Sequence, residues 1–187
     1  MKLNLILFRH GELHSRKKIL CGWLNLVLSN KGEKEAKVLA TKLKNENIDV
    51  GFCSDLIRSQ QVLVEVLKFH PKSMVVIDHR LRERHFGALS GELSSIFSDT
   101  SKMKKFGDLT VEQIPGGESM RIVQKRVFPF MTQIIRFMQK EKVNVCISAH
   151  KDSLVLIQEY LEGLSFDQAQ KLESDPTEFK KYVINFE

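Results

Sequence analysis

The stretch Leu3-Asn4-Leu5-Ile6-Leu7-Phe8-Arg9-His10-Gly11-Glu12 is an apolar run to Phe8 that stops abruptly at an Arg-His-Gly triplet. Its composition predicts a buried strand over Leu3–Phe8. A cation, an imidazole and a glycine do little for packing at a strand end. They do hold a reactive nitrogen at the mouth of a sheet. Outward from this strand the elements alternate. Gly32–Lys44 reads as an amphipathic helix with Ala36, Leu39, Ala40 and Leu43 on one face, and Asp49–Cys53 as a second strand. A helix follows from about Asp55 to Phe69, with Leu56, Leu63 and Leu67 inward and Ser54 or Asp55 as its N-cap. Pro71 closes it, and Met74–Ile77 gives a third strand.

After a polar, irregular region from Arg82 to Glu118, a long helix spans Ser119–Lys140, with a bend expected at Pro129. Val143–Ser148 is the clearest strand, feeding through Ala149-His150 into a helix over Ser153–Glu162, and Tyr182–Phe186 can add an edge strand. Strands alternating with helices imply right-handed crossovers, hence an α/β fold with a mostly parallel, helix-covered sheet. At 187 residues and 42% hydrophobic, with no repeat or linker, the chain is expected to form one domain over 1–187 with a sizeable core.

The charge balance, 29 Lys+Arg against 23 Asp+Glu, is read first as a lysine-rich solvated surface. An anionic small molecule drawn to a cationic cleft fits equally well. No aromatic-basic interleaving supports specific nucleic-acid binding. Cys21, Cys53 and Cys146 lack paired metal-ligand spacing; an odd count without a signal peptide points to reduced thiols and a cytoplasmic setting. The longest apolar stretches are too short to span a bilayer, so no membrane association is expected.

In parallel sheets, ligands gather at the carboxyl ends of strands. Two strands here end in or just before a histidine, His10 and His150. A nucleophilic imidazole must be neutral at one nitrogen and fixed in one tautomer by the other. Gly11 would let the backbone turn toward a phosphate, and Arg9 would offer a planar fork to two of its oxygens. Arg58, one turn into its helix, adds charge where the helix dipole favours an anion, the bland alternative being a surface pair with Asp55 or Glu65. Glu83, in Leu81-Arg82-Glu83-Arg84-His85-Phe86-Gly87, is a carboxyl whose pKa partial burial and a phosphate dianion would raise. Its alternative is a surface pair with Arg82 or Arg84, while His85 reads as structural or substrate-lining. His150, at a strand-to-helix junction, could donate to a phosphate oxygen or be a satisfied core histidine. Together the set suits a metaphosphate-like transition state: Arg9, Arg58 and His150 neutralise the equatorial oxygens, with His10 and Glu83 in line on opposite sides.

These residues, with Gly22-Trp23, Leu28-Ser29-Asn30-Lys31-Gly32, Ser54-Asp55-Leu56-Ile57-Arg58-Ser59, Gly116-Gly117-Glu118-Ser119 and Ala149-His150, resemble the histidine phosphatase superfamily, also called phosphoglycerate mutase-like. The likeness covers nearly the whole chain. It implies a three-layer α/β/α sandwich, His10 as the phosphohistidine, Glu83 as proton donor, and Arg9, Arg58 and His150 as the phosphate pocket, with no metal. Cys21 and Gly22 would sit at the substrate lip, and Lys151, where the family commonly has glycine, would add a cation. Residues 92–118 would form a short cap or insertion over the site.

Cofactor-dependent mutases of this family carry a longer insertion with an arginine pair that grips the substrate carboxylate. Here Glu92–Pro115 contains no arginine, only lysines such as Lys102, Lys104 and Lys105, and the compact interval looks like the short phosphomonoesterases. The expectation is a phosphomonoester hydrolase acting on a small phosphorylated metabolite, as a monomer or homodimer. A compact phosphoglycerate mutase primed by 2,3-bisphosphoglycerate is the alternative. Less favoured are a phosphate-binding module that has lost catalysis and a metal site built on His10 and His14.

Overall fold

The computed structural model describes residues 1–95, 113–169, 171–172 and 175–187. Most of the expected cap, 96–112 with its lysines, therefore lies outside the described residues. Among the described residues, five strands form one sheet: β1 (Lys2–Arg9), β2 (Val50–Cys53), β3 (Met74–Ile77), β4 (Val145–Ala149) and β5 (Phe179–Asn185). Their order is β3-β2-β4-β1-β5. The first four are parallel, and β5 closes the far edge antiparallel to β1. The helices are α1 (Asn30–Leu43), α2 (Ile57–Leu67), α3 (Met120–Glu141), α4 (Lys151–Glu162) and the short α5 (Phe166–Ala169). The architecture is the expected α/β/α sandwich, and the long helix runs as one element through Pro129.

Strand alternation builds the layers, since successive side chains point to opposite faces. Leu3, Leu5 and Leu7 of β1, with Val145 and Ile147 of β4, join the α3 residues Val127, Phe130 and Met131 and the α4 residues Leu154 and Ile157 in one core. Ile6, Phe8 and Cys146 face the other way, onto Ala36, Leu39 and Leu43 of α1 and Val62, Leu63 and Val66 of α2. Both faces of the central strands are thus covered, which is why they read as near-continuous apolar runs. The edge strand β3 differs: Met74, Val75 and Ile77 are each more than half exposed.

Several boundaries moved. The strand over Val143–Ser148 begins at Val145, after Lys142 terminates α3 in a left-handed conformation (φ 58°). The following helix starts at Lys151, directly after His150, and the C-terminal strand starts at Phe179. The expected N-cap of α2 is corrected. The cap position is Leu56, without a side-chain bond, and Ile57 N–H donates instead to Asn25 Oδ1 (2.8 Å). Asp55 is unavailable because it pairs with Arg82, and Ser54 turns inward.

Gly11 serves packing more than flexibility. A Cβ there would lie 2.9 Å from Gly32 Cα, and a Cβ on Gly32 would lie 2.1 Å from Glu12 O. The turn after β1 therefore rests on the first turn of α1, where Glu12 N–H donates to Glu35 Oε2 (2.8 Å) and the Ser29 hydroxyl caps Gly32 N–H (3.1 Å). By helix propensity Gly32→Ala should stabilise α1 by about 1 kcal/mol. The collision with Glu12 reverses the sign, and a net loss of about 1–3 kcal/mol is expected in denaturant melts. A stabilised variant would show that the two backbones are not in contact.

Candidate active site

Parallel pairing sets the two histidines. Arg9 of β1 is opposite Ala149 of β4, so His10 and His150 leave adjacent strands at the same level, with ring centroids 5.1 Å apart. His10 Nδ1 lies 2.9 Å from Gly11 O. A carbonyl only accepts, so Nδ1 carries the hydrogen and Nε2 keeps its lone pair. Burial, then the Arg58 and Arg9 charges, push the His10 pKa down to about 3, against the pull of the Gly11 bond. The imidazole is neutral and basic at the nitrogen that is not tethered.

Arg58 is 1% exposed and is not the surface arginine of the bland alternative, because Asp55 pairs with Arg82 and Glu65 with Lys68. Its Nη1 donates to Leu24 O (2.7 Å), Nη2 to Gly22 O (2.6 Å) and Nε to His150 Nδ1 (3.3 Å). His150 Nδ1 is thus the acceptor and Nε2–H faces Ser54 Oγ (2.7 Å). Both ring nitrogens of His150 have protein partners, as in the satisfied-histidine alternative. A phosphate oxygen taking up His150 must displace one of them. Burial first, then the positive surroundings, hold its pKa well below the ordinary value.

Arg9 Nε is buried without a hydrogen-bond partner among the described residues. Gly22 adopts φ +45°, which aims its carbonyl at Arg58. Cys21 is half-buried, its thiol pushed up by burial and within the fields of Arg58, Glu83 and Arg9. Lys151 is exposed at the start of α4.

Glu83 is buried, and its pKa is raised by desolvation and by the Asp152 carboxylate, against the Arg84 N–H, Arg9 and Arg58. Neither neighbouring arginine is its ion-pair partner. Arg82 pairs with Asp55 and lies 4.4 Å from the Trp23 ring centroid, while Arg84 pairs with Asp152 (2.8 Å). The result is a carboxyl pushed toward its protonated form, sharing a pocket with a neutral imidazole and two guanidiniums. That combination can transfer a phosphoryl group onto nitrogen and a proton onto oxygen.

Sequence reasoning missed the framework behind Glu83. Arg126, on α3, donates to the carbonyls of Arg80 (2.6 Å), Arg82 (2.8 Å) and Glu83 (3.0 Å) and forks onto Glu118 (2.9 Å to each oxygen). Glu118 Oε2 also accepts from His85 N–H (2.9 Å), and Trp23 Nε1–H donates to Glu83 O (2.7 Å). The His85 ring packs edge-on against Trp23. An arginine within an amphipathic helix carries no local signal for such a role. Among the described residues no group of three or more His, Cys, Asp or Glu side chains could hold a metal ion, and the His10–His14 alternative finds no support.

The buried neutral His10 makes stability pH-dependent. Its folded pKa lies below the unfolded 6.5, so between pH 6.5 and about 3 the unfolded chain binds a proton that the native state refuses. The stability is complete above that window and lost as pH falls through it. Melts of the wild type should drop more steeply over this range than those of His10→Gln; equal slopes would mean the imidazole is already charged in the fold.

Comparison with known proteins agrees with this geometry. The sequence is 31% identical over 212 residues to a 2,3-bisphosphoglycerate-dependent phosphoglycerate mutase of Protochlamydia amoebophila, covering 91% of this chain and 90% of that protein. A mutase of the same description from Lactiplantibacillus plantarum is 29% identical, with 91% and 88% covered. Among solved structures, a putative alpha-ribazole-5'-P phosphatase of Escherichia coli superposes with TM-score 0.86 at 23% identity, covering 98% of this chain and 91% of that one. The family profile matches residues 5–186. With a match across nearly the whole sequence, the chain belongs to the histidine phosphatase superfamily, branch 1.

Proposed function

We propose that the chain is a phosphomonoester hydrolase acting through a phosphohistidine on a small phosphorylated metabolite. The observation that carries the reading is the tautomer of His10, whose Nδ1–H is spent on Gly11 O so that Nε2 is free. Nε2 attacks phosphorus as the ester P–O bond breaks, and Glu83 gives its proton to the departing oxygen. Arg9 and Arg58 balance the charge on the equatorial oxygens, with His150 oriented by Arg58. In the second step Glu83, now a carboxylate, takes a proton from water. Water attacks phosphorus, the P–N bond breaks, and His10 returns to its neutral form as phosphate leaves.

The mutase reading has its own support in the names of the relatives at 29–31% identity. Hydrolysis is preferred because a phosphoglycerate carboxylate needs an arginine fork. The interval Glu92–Pro115 supplies none, and both arginines flanking Glu83 are already paired to carboxylates. Cys21, Gly22 and exposed Lys151 would line the leaving-group side. The retained nucleophile and acid count against a purely phosphate-binding module.

We read residues 1–187 as one domain with 92–118 as a cap, in the cytoplasm, as a monomer or homodimer. A second copy would find an apolar edge at β3 rather than at the lysine-bearing C-terminal strand. No helix among the described residues is long and apolar enough to cross a membrane. A panel of phosphate esters, run beside 3-phosphoglycerate with a trace of 2,3-bisphosphoglycerate, tests the choice. Phosphate release is expected; isomerisation without release would establish the mutase.

A further inference from the structure

The carboxyl of Glu83 is held from one side only. Oε1 accepts from Arg84 N–H (2.9 Å) and from Asp152 N–H (3.2 Å), two donors from segments far apart in sequence. Oε2 accepts no hydrogen bond among the described residues and is the oxygen left to carry a proton. The Asp152 donor belongs to the first turn of α4, whose cap residue, His150, provides no side-chain cap. The Glu83 carboxyl takes that place. The two segments are joined a second time by the ion pair between Arg84 Nε and Asp152 Oδ2 (2.8 Å), both side chains mostly buried, with the Arg84 guanidinium 4.9 Å from the Phe86 ring centroid.

We infer that the Arg84–Asp152 pair is a brace that locks Glu83 with Oε1 held and Oε2 presented to the leaving oxygen, making Asp152 a positioning residue for the proton-transfer step. The inference rests on the hydrolase reading, in which Glu83 is the acid. A loose carboxyl would deliver its proton along a poor line, and general acid catalysis depends on that geometry. The brace also sets charge. Glu83 is faced by Arg9 from β1, Arg58 from α2, Asp152 from α4 and the Cys21 thiol, with Arg126 of α3 on its main-chain carbonyl and the neutral rings of His10 and His150 in the same pocket. Asp152 is the one carboxylate among them. It favours the protonated acid, and Arg84 moderates that push.

The two partners should therefore act with opposite sign. Asp152→Asn keeps the backbone donor but removes the anion, so Glu83 ionises at lower pH and the basic limb of the kcat profile moves acidward. Arg84→Met leaves Asp152 uncompensated and moves the same limb to higher pH. Both variants lose the brace. On glycerol 3-phosphate, whose alkoxide must be protonated, kcat should fall on the order of 10–100-fold with KM little changed. On p-nitrophenyl phosphate, whose leaving group needs no proton, the loss should be about 3-fold or less. Asp152→Glu should recover part of the alkyl-ester rate.

Equal losses on the two esters, or limbs that move in the same direction, would overturn the brace. Should Asp152→Asn not fold, Arg84→Met decides alone, an unmoved or acid-shifted limb being the adverse result. A wild type that releases no phosphate from the aryl ester would instead sink the hydrolase reading.

Discussion

His10→Ala should remove turnover and the acid-labile phosphoenzyme together, with a loss in kcat on the order of 10⁴-fold or more. The size follows from geometry. The proposed nucleophile has no free imidazole beside it: His150 has both nitrogens engaged, by Arg58 and Ser54. Alanine leaves phosphate-binding charge at Arg9 and Arg58 intact, so the variant should still bind inorganic phosphate. Rapid quenching with a radiolabelled substrate checks the covalent step, and equilibrium binding of phosphate checks the pocket. A variant that still labels would place the phosphoryl acceptor elsewhere and end the mechanism.

Glu83→Gln is expected to cost about 10²–10⁴-fold in kcat on alkyl phosphates. Glutamine preserves the acceptor that meets the Arg84 and Asp152 N–H groups, so the loop should keep its place. What disappears is a titratable proton. In the wild type, burial and Asp152 raise the Glu83 pKa, so the acid form persists above the usual carboxylate range and the first step slows as pH rises through the raised value. The glutamine enzyme should show no such limb. A basic limb that survives the substitution would assign the proton to another group.

The strands and the residues proposed to react were legible in the sequence because both are local signals. Leu3–Phe8 is apolar until it meets Arg9-His10, and Val145–Ala149 ends at His150; a buried strand ending in polar residues marks where a parallel sheet opens to ligands. The bracing was not legible, because its partners are far apart. Arg126 reaches the carbonyl of Glu83 across 43 positions, and Asn25 caps a helix that begins 32 positions later. Gly11 reads in the sequence as a flexible turn, but its reason is the approach of Gly32, a contact no periodicity encodes. Helix starts were missed for the same reason: α2 is capped by a distant side chain and α4 by a carboxyl from another loop.

The pairing of Arg9 with Ala149 in the middle of the sheet has a further consequence. The two rings are carried by neighbouring interior strands, each paired on both sides, so they separate only if the sheet itself opens. Amide protons of Leu5–Arg9 and Cys146–Ala149 should exchange with deuterium only through whole-molecule opening. Heat or urea should then silence the enzyme along the same curve that unravels it, with no dormant folded form between.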